Sequence, residues 1–170
     1  MAGSAGARCE ELTFQQTLDR SRSPNFVQQN SMKTLSVKQP WAWLLAHGYK
    51  DIENRTWSRK YRGVFLIHAG VTFDAQGYAW VKENFPHIPL PAPKDFERGG
   101  IVGRADLVDV VPPGSHLNGV CTSPWYFGEV GFRLADATPL PFVPVKGQLL
   151  FFEVELPQAE PKNAYGTNPV

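Results

Sequence analysis

Between residues 38 and 57 the chain places Lys38, Gln39, Trp41, Lys50, Glu53, Arg55 and Trp57, a set able to bind an anionic, aromatic ligand or to act on one. An ammonium such as Lys50 binds phosphate or, when partly desolvated, works as a base. A carboxylate such as Glu53 accepts from the exocyclic amine of a nucleobase or serves as a general base. An arginine such as Arg55 grips phosphate or carboxylate with two parallel hydrogen bonds. Trp41 and Trp57 offer faces on which any base can stack. Each residue also has a structural alternative: Glu53 and Arg55 can pair to fix the fold, the tryptophans can be core, and Lys38 and Lys50 can be solvated.

The elements that must position these groups are legible nearby. Pro40 suits the first position of a helix and Gly48 the left-handed residue that ends one, which predicts a short helix over about 40–47. Trp41, Leu44 and Leu45, at i, i+3 and i+4, form its buried stripe. Lys38 and Gln39 then stand at its mouth, where free amides and the helix dipole favour an anion. The alternation after Gly48 predicts a strand over about 50–57, with Glu53, Arg55 and Trp57 on one face and Ile52 on the other.

Beyond this segment the turn Arg59-Lys60-Tyr61-Arg62 is a basic patch with an aromatic inside it, so Arg62 is a candidate phosphate contact. Val64 to His68 reads as an apolar strand buried on both sides, with His68 as a core histidine. Residues 72–85 read as a second helix, capped by Thr72 or Asp74, stopped by Pro86 and weakened by Gly77. The proline-rich stretch 86–93 is an extended connection, Gly100 to Val111 a long strand, 112–124 a loop, and further strands fall near 125–134 and 147–155. Ser123 and Tyr126 can reach the site from across the fold, but nothing supplies the neighbouring base a serine nucleophile needs. No histidine or cysteine pair has metal-ligand spacing, and phosphate-loop and dinucleotide fingerprints are absent, so neither metal nor cofactor is expected.

Composition bounds the rest. The 170 residues fit one domain, and 42% hydrophobic content is ordinary for a globular protein. A net charge of +1 supplies no global basic field, so nucleic-acid binding would have to come from a local patch. The two cysteines, Cys9 and Cys121, make no disulfide framework and suggest a reducing compartment. No membrane span or signal peptide is expected, which makes the cytoplasm the default location. Residues 1–31 read as a disordered extension, with Met32 an alternative start, and 157–170 as a disordered tail around a domain at 32–156.

Three blocks of the chain resemble the ASCH domain, a small barrel related to the PUA domains of RNA-modifying enzymes. The first is Leu35-Ser36-Val37-Lys38-Gln39-Pro40-Trp41-Ala42 with His47-Gly48-Tyr49-Lys50-Asp51-Ile52-Glu53-Asn54-Arg55-Thr56-Trp57, continued by Arg62-Gly63 and Ile67-His68-Ala69. Gly99-Gly100-Ile101-Val102-Gly103 and Pro144-Val145-Lys146-Gly147-Gln148-Leu149-Leu150-Phe151-Phe152 resemble later strands of that family, so the likeness covers roughly 33–156. It implies an α+β, PUA-like mixed barrel of five or six strands with two or three short helices. It further implies binding of RNA or a nucleoside, with hydrolysis of an acetylated cytidine nucleoside or cleavage of RNA in some members. Lys50 matches the catalytic lysine of the family's amidohydrolases. Those members carry a threonine three residues later, where this chain has Glu53.

The leading expectation is therefore a module that binds RNA or a modified nucleoside in a cationic cleft between the first helix and the following strand. Its ligand contacts would be Lys38, Gln39, Trp41, Lys50, Arg55, Trp57, Arg62 and Ser123. One alternative is a hydrolase using Lys50 and Glu53 in that cleft. The other is a protein-interaction domain working through the proline stretch or the tail. Oligomeric state is left open.

Overall fold

The computed structural model describes residues 31–155; the expected extension up to residue 30 and the tail beyond 155 lie outside the described residues. Six strands and two helices follow one another as β1 (Ser31–Gln39), α1 (Trp41–Ala46), β2 (Ile52–Arg55), β3 (Gly63–Phe73), α2 (Ala75–Asn84), β4 (Gly100–Val111), β5 (Val130–Pro144) and β6 (Phe151–Glu155). They form one six-stranded sheet in the order β2-β5-β4-β3-β1-β6. The β1–β3 pair is parallel and the other pairs are antiparallel. The architecture is thus α+β with a mixed, barrel-like sheet.

The sheet curls without closing. Its edge strands β2 and β6 do not pair. Instead Trp57, just past β2, packs edge-on against Phe151 of β6 with ring centroids 6.0 Å apart, and Arg55 Nη2 donates to the Ser36 carbonyl of β1 at 2.7 Å. Leu35, Val37, Phe65, Ile67, Leu107 and Phe132 fill the interior of the curl. A second cluster, with Leu44, Ile52, Val81, Trp125 and Tyr126, joins the helices to the loop after β4. Leu66 packs instead with Ile101, Phe152 and Val154, so β3 is buried on both faces at its centre, as its continuous apolar run requires.

Several boundaries differ from the sequence reading. β1 is a strand to which the sequence reading assigns no element, and Ser31, grouped with the extension, is its first residue and pairs with Glu155. α1 is only six residues long, with Pro40 at the N-cap instead of inside the helix. Gly48, at φ +73° with open space around it, ends the helix as expected; the positive φ alone accounts for glycine there. β2 is confined to 52–55, which leaves Lys50 on the connection before it. β5 runs to Pro144 and not from 125 to 134. β2 covers β5 only at 130–133, so Pro139, Pro141 and Pro144 sit where that side of β5 has no strand partner and a missing amide hydrogen costs little.

α1 lies close on the sheet because β4 offers it a glycine. A Cβ built on Gly103 would stand 2.6 Å from Ala46 Cβ and 3.0 Å from the Thr138 carbonyl oxygen. Gly103→Val is expected to lift α1 and to lower stability by about 1–3 kcal/mol, the usual range for overpacking. Urea unfolding followed by tryptophan fluorescence checks this, and an unchanged midpoint would contradict it.

Candidate functional site

The charged residues expected to do chemistry converge where α1, β2 and the start of α2 meet. Lys50 follows the end of α1, its backbone amide held by the Leu44 carbonyl at 3.2 Å, and its side chain is almost wholly buried. The ammonium donates to Glu53 Oε2 at 2.8 Å and to the Ile52 carbonyl, and lies 5.8 Å from the centre of the Trp41 ring. Burial is the strongest influence on Lys50 and pulls its pKa below the ordinary value, while Glu53 opposes that shift. Glu53 turns its other oxygen, Oε1, to Arg55 Nη2 at 3.2 Å. The carboxylate thus bridges two cations. Arg55 keeps one donor, Nε, buried without a hydrogen-bond partner among the described residues.

Two adjoining hollows open over this network. The inner one, about 290 Å³, is lined by Trp41, Lys50, Glu53, Asn54, Asp74 and Phe127. The outer one, about 270 Å³, is lined by Ser36, Val37, Lys38, Trp41, Glu53 and Arg55. Trp41 and Glu53 are walls of both. The lining carries three cations, Lys38, Lys50 and Arg55, against two carboxylates, Glu53 and Asp74, so its charge is mixed. Lys38 and Arg55 line the outer hollow, and Lys50 with the aromatic walls Trp41 and Phe127 the inner one.

Trp41 is held by a hydrogen bond and two neighbouring indoles. Its Nε1 donates to Asp74 Oδ2 at 3.0 Å, and Trp80 and Trp125 flank it with centroids 6.4 and 6.5 Å away. A Cβ on Gly77 would stand 2.3 Å from Trp41 Cζ2, which explains a glycine in the first turn of α2 despite its low helix propensity. Asp74 caps α2 by accepting from the Gly77 amide at 2.8 Å. That hydrogen bond, with smaller contributions from the Trp41 indole and the Lys38 charge, holds the Asp74 carboxyl below its ordinary pKa.

Four residues expected at the ligand lie elsewhere. Gln39 is buried, donating through Nε2 to the Glu97 carbonyl at 2.8 Å and accepting from the Trp43 amide at 3.0 Å, so it tethers α1 and does not face these hollows. Trp57 packs edge-on against Phe132 and Phe151, with Arg55 and Arg59 over its ring. Arg62 reaches toward Asp109 at 3.6 Å and donates to the carbonyls of Arg59 and Tyr61. Ser123 donates to Asp51 at 2.5 Å and steadies its own loop through the Trp125 amide.

Five lining residues are not ligand contacts in the sequence reading: Ser36 and Val37 in the outer hollow, and Asn54, Asp74 and Phe127 in the inner one. Asp74 is the helix cap that the sequence suggests and a wall of the inner hollow as well. Asn54 donates to the Trp125 carbonyl at 2.8 Å and accepts from the Phe127 amide at 2.9 Å, which sets Phe127 at the hollow. The period of two puts Asn54 on the face opposite Glu53 and Arg55, so neither it nor Phe127 carries a signal in the sequence. The proline stretch, for its part, is anchored: Ile88 is buried in the second cluster and Tyr78 donates to the Pro91 carbonyl at 3.1 Å.

This arrangement belongs to a chain of the ASCH domain family, whose model matches residues 35–137. Among characterised relatives, activating signal cointegrator 1 from Homo sapiens is 29% identical over 113 residues, 64% of this chain and 18% of that protein. Its counterpart from Mus musculus is 33% identical over 79 residues, 44% of this chain and 14% of that protein. The chain thus spans less than a fifth of the length of these relatives. Among solved structures, a ZmASCH mutant protein from Zymomonas mobilis aligns at 16% identity with a TM-score of 0.40, covering 66% of this chain and 73% of that one. No helix among the described residues is long and apolar enough to cross a membrane.

Proposed function

We propose that this domain binds single-stranded RNA or a nucleoside, with a base in the inner hollow and an anionic group in the outer one. The observation that carries this reading is the convergence of Trp41, Lys38, Lys50, Glu53 and Arg55 on two adjoining hollows. A base between Trp41 and Phe127 would have an aromatic wall for its face, and the lone pairs that the Glu53 and Asp74 oxygens do not spend on their protein partners would accept from its amino or imino hydrogens. Lys38 is exposed and lines the outer hollow beside the Arg55 guanidinium, which suits the pair to phosphate. Membership of the ASCH family and its expected kinship with RNA-modifying enzymes agree with this chemistry.

Binding is favoured over turnover because the groups a hydrolase would use are already committed. The Lys50 ammonium is spent on Glu53 and the Ile52 carbonyl, and both Glu53 oxygens face cations. The test is fluorescence anisotropy and calorimetry on the whole chain with the four ribonucleosides and short single-stranded RNAs. Lys38→Ala is expected to weaken RNA binding and flatten its salt dependence by about one released counterion. Full RNA affinity in Lys38→Ala and Arg55→Ala alike would sink the proposal. Hydrolysis of a nucleoside amide or an RNA that disappears in Lys50→Ala would replace it with the hydrolase reading.

A further inference from the structure

A third and larger cleft adjoins the outer hollow. It encloses about 770 Å³ and is bordered by Ser36, His68, Val71, Lys146, Gly147 and Leu149 among others. Ser36, which also walls the outer hollow, is the residue the two share. Its two ends face different neighbours: the carbonyl accepts from Arg55, and Oγ lies 3.0 Å from His68 Nδ1. The second ring nitrogen of His68, Nε2, is 2.9 Å from the Val145 carbonyl oxygen. This fixes the buried imidazole as the floor of the cleft and ties down the loop that forms its far wall. Gly147 lets that loop approach, since a Cβ there would stand 2.5 Å from His68 Cε1 and 2.9 Å from Ser36 Oγ.

The order of features along this track is informative. First comes a hollow with aromatic walls, then one bearing Lys38 and Arg55, then a wide cleft rimmed by the exposed apolar side chains of Val71 and Leu149 and by Lys146. Aromatic face, paired cations and apolar-rimmed cleft match the succession of base, phosphate and next nucleoside in a single strand. Val71 and Leu149 are 76% and 92% exposed, an unusual placement for large aliphatic groups bordering one opening. A free nucleoside would leave the largest of the three spaces unused.

We propose that the ligand is a single-stranded RNA segment of at least two nucleotides, the second nucleoside seated in the cleft over His68. This rests on the reading that the inner hollow takes a base. Lys146 meets the phosphate beyond the second nucleoside, and Leu149 and Val71 cover the second base. The contacts are to sugar, phosphate and base faces, so this position tolerates any base.

The experiment compares the four ribonucleosides with single-stranded RNA of mixed sequence, using the whole chain and the double variant Lys146→Glu/Leu149→Asp. Both side chains are exposed, so the substitutions spare the core. RNA is expected to bind at least about tenfold tighter than the best nucleoside, through added phosphate contacts and the apolar cover of the second base. The variant is expected to remove that advantage and leave nucleoside affinity unchanged. If RNA binds no tighter than a nucleoside, or the variant keeps the full length advantage, the two-nucleotide inference is overturned while the inner base site stands. If the wild type binds neither, the base site fails and this inference fails with it.

Discussion

Replacing Glu53 by alanine is expected to destabilise the domain by about 3 kcal/mol, because removing one partner of a buried ion pair leaves the other charge uncompensated. The Lys50 side chain is only 2% exposed and would retain the Ile52 carbonyl alone. Arg55 Nη2 would lose its carboxylate at the same time. For a domain of this size the loss amounts to a drop in melting temperature on the order of 10 °C. Lys50→Met/Glu53→Leu is expected to recover most of it, since an apolar pair of similar volume no longer needs the compensation. Equilibrium urea unfolding of the two single variants and the double variant measures the coupling, and additive losses would show that the pair is not the stabilising unit.

The same lysine gives this prediction a pH dependence. Burial pushes the folded-state pKa of Lys50 below 10.5, so at a given alkaline pH the folded chain binds fewer protons there than the unfolded chain does. Stability contributed by this group therefore rises with pH between its folded pKa and the unfolded value, and is flat below that window. Against Lys50→Met, which cannot titrate, the wild type is expected to gain ground as the medium is made alkaline. A wild type that loses ground to Lys50→Met over that window would mean that Glu53 outweighs burial.

Trp41→Ala is the second substitution expected to have a large effect, with a loss of about 3–5 kcal/mol typical of truncating a packed tryptophan. The indole lies between Trp80 and Trp125, covers Gly77 and supplies the dividing wall of the two hollows. Trp41→Phe separates its two roles. It keeps an aromatic face but loses the hydrogen bond to Asp74, about 1 kcal/mol, and should retain most ligand affinity. Calorimetric melting with parallel binding measurements on both variants provides the check. Equal loss of affinity in Trp41→Phe and Trp41→Ala would mean that the indole N–H, not the ring face, matters to the ligand.

The convergence of Lys50, Glu53, Arg55 and Trp41 was legible because one short stretch, α1 and the strand after it, carries all four. Pro40 and Gly48 delimit the helix, and the period of two then brings Glu53 and Arg55 to the same side. Asp74 and Phe127 come from distant segments and meet the site only through tertiary packing, so no local pattern announced them as lining residues. Gln39 shows the opposite limit: its position at the mouth of a helix suggested a ligand contact, but an amide side chain can instead serve the backbone, and it does. β1 carries no clear strand pattern, since its buried Thr34 and Gln39 interrupt the apolar alternation of Leu35 and Val37. The length of β5 was hidden by prolines that a strand tolerates only where one side is unpaired.

Photocrosslinking tests the base site most directly. The whole chain is irradiated with a short single-stranded RNA carrying photoreactive pyrimidines, and the adducts are mapped by mass spectrometry. Adducts on Trp41 or Phe127, suppressed in Glu53→Gln, are the expected result. Adducts confined to the basic turn Arg59–Arg62, or unchanged in Glu53→Gln, would contradict it.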